Sequence, residues 1–124
     1  AQVTAAALTA ENRTLANPAS VQTIPTSANQ EDHVSMGSVS ALKARTVLEN
    51  TAFVLAIELM AGCQALDERG IPSSPVLEEI KREIRSRVAK IERDRFMQPD
   101  ILIMKEIIDS EILPSIVNKY FTMK

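Results

Sequence analysis

At 124 residues, 45% apolar and 24% charged, the chain is one domain or part of one, and it carries too much apolar surface for a disordered segment. A formal net charge of −2 gives no electrostatic reason to expect nucleic acid or an anionic membrane as partner. The single cysteine, Cys63, excludes an internal disulfide framework, and aromatics at 3% leave the core to Ile, Leu, Val, Ala and Met, a set that favours helix.

The start, Ala-Gln-Val-Thr, has neither the charged nor the apolar segment of a signal peptide and lacks an initiator Met. A processed chain or excised fragment in a reducing, cytoplasmic compartment is expected. Residues 3–16 place Val3, Ala6, Ala7, Leu8, Ala10 and Leu15 among polar positions, which predicts a short helix. Asn17-Pro18 stops it, because the residue before proline is pushed out of the helical region. The next stretch, Ala19 to Asn29, is rich in Ser, Thr and Pro, and Pro25 prevents a regular helix. Loops of this length are uncommon inside compact domains and are often functional. It runs into an unusually polar segment, residues 24–37, that crowds Ser27, Asn29, Gln30, Glu31, Asp32, His33 and Ser35 together.

Residues 38–66 hold no proline and one glycine, Gly62, and predict a helix of roughly 43 Å. Its second half, 52–61, is apolar on almost every side. A membrane span needs ~20 apolar residues, and Glu58, Gln64 and Asp67 are expected to cut the run too short. A helix apolar all round is otherwise covered by other helices, so cover from another segment or subunit is expected.

Arg69-Gly70-Ile71-Pro72 reads as a stop, with Ser74 as the next N-cap and Pro75 at N1. Leu77, Ile80, Ile84, Val88 and Ile91 then form an amphipathic stripe, closed by Arg93-Asp94-Arg95-Phe96. The opposite face holds Lys81, Arg82, Arg85, Arg87 and Lys90 among glutamates, with favourable pairs Glu78–Arg82 and Glu83–Arg87. That is a solvated face rather than an anion site. A further helix starts with Pro99 at N1 and carries Ile101, Met104, Lys105, Ile108 and Ile112; Pro114 breaks it, and Ile116, Val117, Tyr120 and Phe121 predict a last short helix. Nothing alternates like a strand. The fold class is all-α.

Several chemistries are excluded. Asp32, His33 and Ser35 lie too close in sequence to line up as nucleophile, base and orienter. Glu31, Asp32 and His33 lack a metal-ligand spacing, with no second histidine and no spare cysteine. The three glycines are far apart, so no phosphate loop exists. Two readings of 24–37 remain: a loop whose Ser, Asn and Asp cap the long helix, with Glu31 and Asp32 at its positive end, or a site built on a carboxylate.

The run from Asn17 to Gly37, with Ile24-Pro25-Thr26-Ser27-Ala28-Asn29-Gln30-Glu31-Asp32-His33-Val34-Ser35-Met36 at its centre, closely resembles a segment of the histidine ammonia-lyase family. Thr4-Ala5-Ala6-Ala7-Leu8 with Glu11-Asn12 is similar to the helix leading into it, and Asp94-Arg95-Phe96-Met97-Gln98-Pro99-Asp100-Ile101 to that family's C-terminal segment. The resemblance implies the C-terminal part of a larger helical-bundle enzyme. It divides the chain into an active-site loop at 17–37, a long bundle helix at 38–66 and C-terminal helices at 76–122. Family members deaminate L-histidine to trans-urocanate with an electrophilic methylidene-imidazolone (MIO) made from an internal Ala-Ser-Gly, and they use no metal. Here Ala19-Ser20 is followed by Val21 and no Ala-Ser-Gly occurs, so this chain alone is expected to be inactive.

The resemblance also implies that Glu31 is the catalytic and substrate-binding carboxylate facing the imidazole, with Gln30 lining the same pocket. Asp32, His33 and Ser35 are left with supporting or capping work. Related phenylalanine and tyrosine lyases usually place Gln at the position of Glu31. A homotetramer whose neighbouring subunits complete each site is implied as well, and it would supply cover for 52–61. The alternatives are another MIO-dependent lyase or aminomutase, and a non-catalytic helical assembly module.

Overall fold

The computed structural model describes residues 1–121. Among these it contains five α-helices: α1 (Gln2–Leu15), α2 (Gly37–Arg69), α3 (Pro75–Arg85), α4 (Gln98–Asp109) and α5 (Ile112–Tyr120), with a 3-10 turn at Ala19–Gln22. The all-α expectation holds. Thr122, the last residue of the expected C-terminal helical region, lies outside the described residues.

Helix α2 is the spine, 33 residues and so roughly 50 Å long. Gly70 ends it in the left-handed region at φ 67°, where a residue without Cβ carries no penalty. Helix α1 runs antiparallel to its first half. Asn50 of α2 is buried, and its side-chain amide donates to Glu11 Oε2 at 2.8 Å and Asn12 Oδ1 at 3.0 Å. Helix α4 packs antiparallel on the other flank, with the Lys105 ammonium 5.3 Å from the centre of the Phe53 ring. The core gathers Ala56, Met60 and Cys63 of α2, Ile84 and Val88 from the α3 segment, and Met104 and Ile107 of α4. Burial pushes the Cys63 thiol above its ordinary pKa, which suits a core residue rather than a nucleophile.

Four sequence expectations are corrected. Length and composition do allow α2 to cross a membrane, as the core helices of soluble proteins also can, so Glu58, Gln64 and Asp67 do not by themselves exclude it. The polar groups of α2 nonetheless have partners inside the chain. Gln64 exchanges two hydrogen bonds with the backbone of Ile91, and Asp67 pairs with Arg85 at 2.7 Å. Secondly, α3 stops at Arg85 instead of running on past Ile91. Arg85 donates to the Val88 carbonyl and Gln64 holds Ile91, so the chain turns back along α2 and still buries Val88. Thirdly, Glu78 pairs with Lys81 rather than Arg82, and it accepts the Ser73 N–H at 2.8 Å; the Glu83–Arg87 pair forms as expected. Lastly, Pro114 does not break α4. The break is at Ser110, whose hydroxyl donates to Ile107 O and accepts the Ile112 N–H, and Pro114 sits in the first turn of α5, where its missing N–H costs nothing.

Helix α5 is clasped to α3 by Glu79, whose two oxygens accept from Lys119 Nζ at 2.6 Å and Tyr120 Oη at 2.7 Å. Those bonds hold the Glu79 carboxyl below its usual range and push the lysine and tyrosine up.

Only one stripe of α2 is covered. Leu42, Leu48 and Leu55 stay exposed. Ile84 is fully buried between α2 and α4. Ile84→Ala should therefore lower the unfolding free energy of the chain by ~2–5 kcal/mol. Val3→Ala, on the exposed face of α1, should change it by less than about 0.5 kcal/mol. Urea unfolding of the two variants checks the contrast.

Candidate active site

The polar loop is a closed, two-rung structure. At its base the Val34 N–H donates to Thr23 Oγ1 at 2.7 Å. Higher up, Thr26 and Glu31 form an isolated antiparallel bridge, with Thr26 N to Glu31 O at 2.9 Å and Glu31 N to Thr26 O at 3.3 Å. A pair that exchanges both backbone bonds puts its side chains on one face of the ribbon. Here the Thr26 hydroxyl donates to Glu31 Oε2 at 3.0 Å.

Ser27, Ala28 and Asn29 connect the two strands with φ of 51°, 55° and 66°. Three consecutive non-glycine residues in the left-handed region are unusual, each costing roughly 1–2 kcal/mol, with asparagine the most tolerant. The Gln30 N–H closes the turn on Ser27 O at 3.1 Å. Positive φ at both central residues, Ala28 and Asn29, is the geometry of a type I′ hairpin turn, whose twist matches that of paired strands. Strain of this kind persists where the surroundings over-determine it, and it clusters at functional sites.

The capping reading fails. Met36, not a Ser, Asn or Asp of the loop, occupies the N-cap of α2, itself at φ 53°, with no side-chain cap bond and no acidic residue in the first turn. The polar side chains of 27–35 are therefore not spent on the helix end. Residues Ser27 to His33 are all exposed, as is Ser35. Glu31 and Gln30 sit side by side in sequence, but the structure joins Glu31 to Thr26, while Gln30 is engaged through its backbone. Thr26 is the residue that sequence reasoning missed. Its pairing with a carboxylate five positions on depends on a turn that contains no glycine.

The entry to the loop is anchored. Ala19 is buried in the 3-10 turn against α2, and Lys43 donates to the Asn17 carbonyl. Ala19 and Ser20 are followed in that turn by Val21, so the turn holds no precursor of the electrophile that the resemblance implies. Among the described residues no three His, Cys, Asp or Glu side chains converge on a point where a metal ion would sit. The larger clefts lie elsewhere. An apolar one of about 440 Å³ opens between Thr4, Leu8, Phe53, Ile57 and Ile101.

The aromatic amino acid lyase family model matches residues 1–86. The chain belongs to that family. Among similar proteins, the histidine ammonia-lyase of Burkholderia multivorans is 51% identical over 108 residues, covering 87% of this chain and 21% of its own length. That of Desulfotalea psychrophila is 48% identical over 120 residues, covering 96% and 23%. The crystal structure of histidine ammonia-lyase from Trypanosoma cruzi superposes with a TM-score of 0.90 at 40% identity, over 95% of this chain and 24% of that one. Tyrosine aminomutase from Streptomyces globisporus gives 0.89 at 34% identity, over 99% and 24%. The chain thus spans between a fifth and a quarter of the length of these lyase-family relatives. The helical scaffold of this segment is common to the lyase and the aminomutase.

Thr23 holds the base of the loop. Replacing its hydroxyl with a methyl in Thr23→Val leaves the part-buried Val34 N–H without its partner. Amide hydrogen exchange across residues 23–34 should then quicken by tenfold or more, while the core of α2 keeps its protection.

Proposed function

We propose that this chain is the C-terminal part of a histidine ammonia-lyase, which eliminates ammonia from L-histidine to give trans-urocanate, and that Glu31 contacts the substrate imidazole. The observation that carries this is the Glu31 carboxylate at the head of a strained, doubly tied loop. One of its oxygens is held by Thr26, and among the described residues no donor reaches the other. The identity of 40–51% to histidine ammonia-lyases, against 34% to a tyrosine aminomutase, favours histidine within the family.

The chemistry fits the residue. A carboxylate accepts the imidazole N–H and stabilises the imidazolium form, which makes the β-proton of the substrate easier to remove. A phenyl or phenol ring offers no N–H at that position and would leave the carboxylate facing an apolar ring without a partner. Gln30 is a second polar group beside the same pocket. The family's MIO electrophile activates the substrate amine for departure, and its Ala-Ser-Gly precursor is absent from this chain. That part of the reaction therefore belongs to other residues of the full-length protein, and the chain alone is inactive.

On this reading residues 17–37 are the active-site loop, 38–66 the bundle helix and 76–122 the C-terminal helices. The exposed leucines of α2 are seats for other helices of a homo-oligomer, a tetramer in this family.

In the full-length protein, Glu31→Ala should reduce histidine deamination by ~10²-fold or more, on the scale of lost acid–base participation. Urocanate formation measured by its ultraviolet absorbance checks this, and a near wild-type rate would remove Glu31 from the mechanism.

A further inference from the structure

We propose that Thr26 is the positioning residue for Glu31: its hydroxyl occupies one carboxylate oxygen and aims the other at the substrate ring. This rests on the reading of Glu31 given above and extends it to a residue that does not touch the substrate.

The geometry supports the role in three ways. Thr26 and Glu31 are directly paired across the ribbon, so their side chains rise from the same face. The hydroxyl-to-carboxylate distance is 3.0 Å, and a β-branched side chain has few χ1 states in which to point its hydroxyl elsewhere. Pro25 fixes the backbone angle just before the bridge, and the left-handed run at 27–29 fixes the register just after it. A slip of one residue would send the Glu31 side chain to the opposite face.

A free glutamate side chain loses rotamer freedom when it is fixed. Thr26 supplies that ordering before the substrate arrives. Its single hydroxyl proton is donated to Oε2, which leaves Oε1 to accept the N–H of an imidazole. Threonine is thus suited in both shape and donor count, where a second ammonium or guanidinium would neutralise the carboxylate.

The test compares Thr26→Val, Thr26→Ser and Glu31→Gln, with the double variant Thr26→Val/Glu31→Gln, all in the full-length enzyme with L-histidine as substrate. Thr26→Val should lower kcat/KM by roughly tenfold or more, as expected for losing a hydrogen bond to a charged group. Thr26→Ser should restore it. In the Glu31→Gln background, adding Thr26→Val should have little further effect, since the two residues act as one unit. If Thr26→Val fails to assemble, Thr26→Ala is read against the same criteria.

A Val variant with wild-type kcat/KM would overturn the proposal, as would a Ser variant as impaired as Val, or Thr26→Val and Glu31→Gln effects that simply add. These outcomes leave the role of Glu31 standing. Only a Glu31→Gln or Glu31→Ala enzyme with wild-type rates would remove that role itself.

Discussion

Helix α2 can bury only one stripe of its surface within this chain, and the rest of the structure follows from that limit. Ala52, Ala56, Met60 and Cys63 repeat at three- and four-residue spacing on the covered side. Small residues along most of that stripe let α1 and α4 approach closely, and the α3 segment closes it from the far end. Three inward-facing polar groups of α2 are matched: Asn50 with Glu11 and Asn12, Gln64 with the Ile91 backbone, and Asp67 with Arg85, whose Nη2 is buried without a partner. An unmatched group there would cost about 1–3 kcal/mol. The uncovered side still carries large apolar residues, Leu48 foremost at 72% exposure. The chain spans a fifth to a quarter of its relatives' length.

The same spine positions the loop. Helix α1 and the 3-10 turn deliver the chain to the start of α2, where Thr23 and Val34 close the loop's base. Above that rung no described residue from outside the loop hydrogen-bonds to it, and its form comes from local forces: a proline, a bridge and a left-handed turn. An exposed loop with three left-handed residues pays for that backbone without local burial. On the proposed function, its compensation lies in what the turn presents, a carboxylate held by Thr26.

Much of the fold was legible because helical periodicity and proline placement are local signals. The stop at Asn17-Pro18, the cap positions Ser74 and Gly70, and the stripe through Ile84 and Met104 needed no tertiary information. The end of α3 was not legible in that way. Ile91 continues the apolar spacing, but a side chain on α2, Gln64, captures its backbone and pulls it out of the helix. The site was half legible. The polar crowding of 27–35 marked the loop, and the family resemblance singled out Glu31. Capping chemistry pointed the wrong way, because Ser, Asn and Asp suit both caps and turns. Here the turn won. No Asn-Gly or Asp-Gly signal announced a hairpin turn, so the pairing of Thr26 with Glu31 emerged only from coordinates.

The central claim is that this loop holds the Glu31 carboxylate against a substrate imidazole. A structure of the full-length lyase with L-histidine or an unreactive imidazole analogue bound tests it most directly. The expected result has one Glu31 oxygen at ~2.7–3.2 Å from a ring nitrogen and the other still held by Thr26. A ligand whose ring nitrogens are met by other groups, with the Glu31 carboxylate turned away, would contradict it.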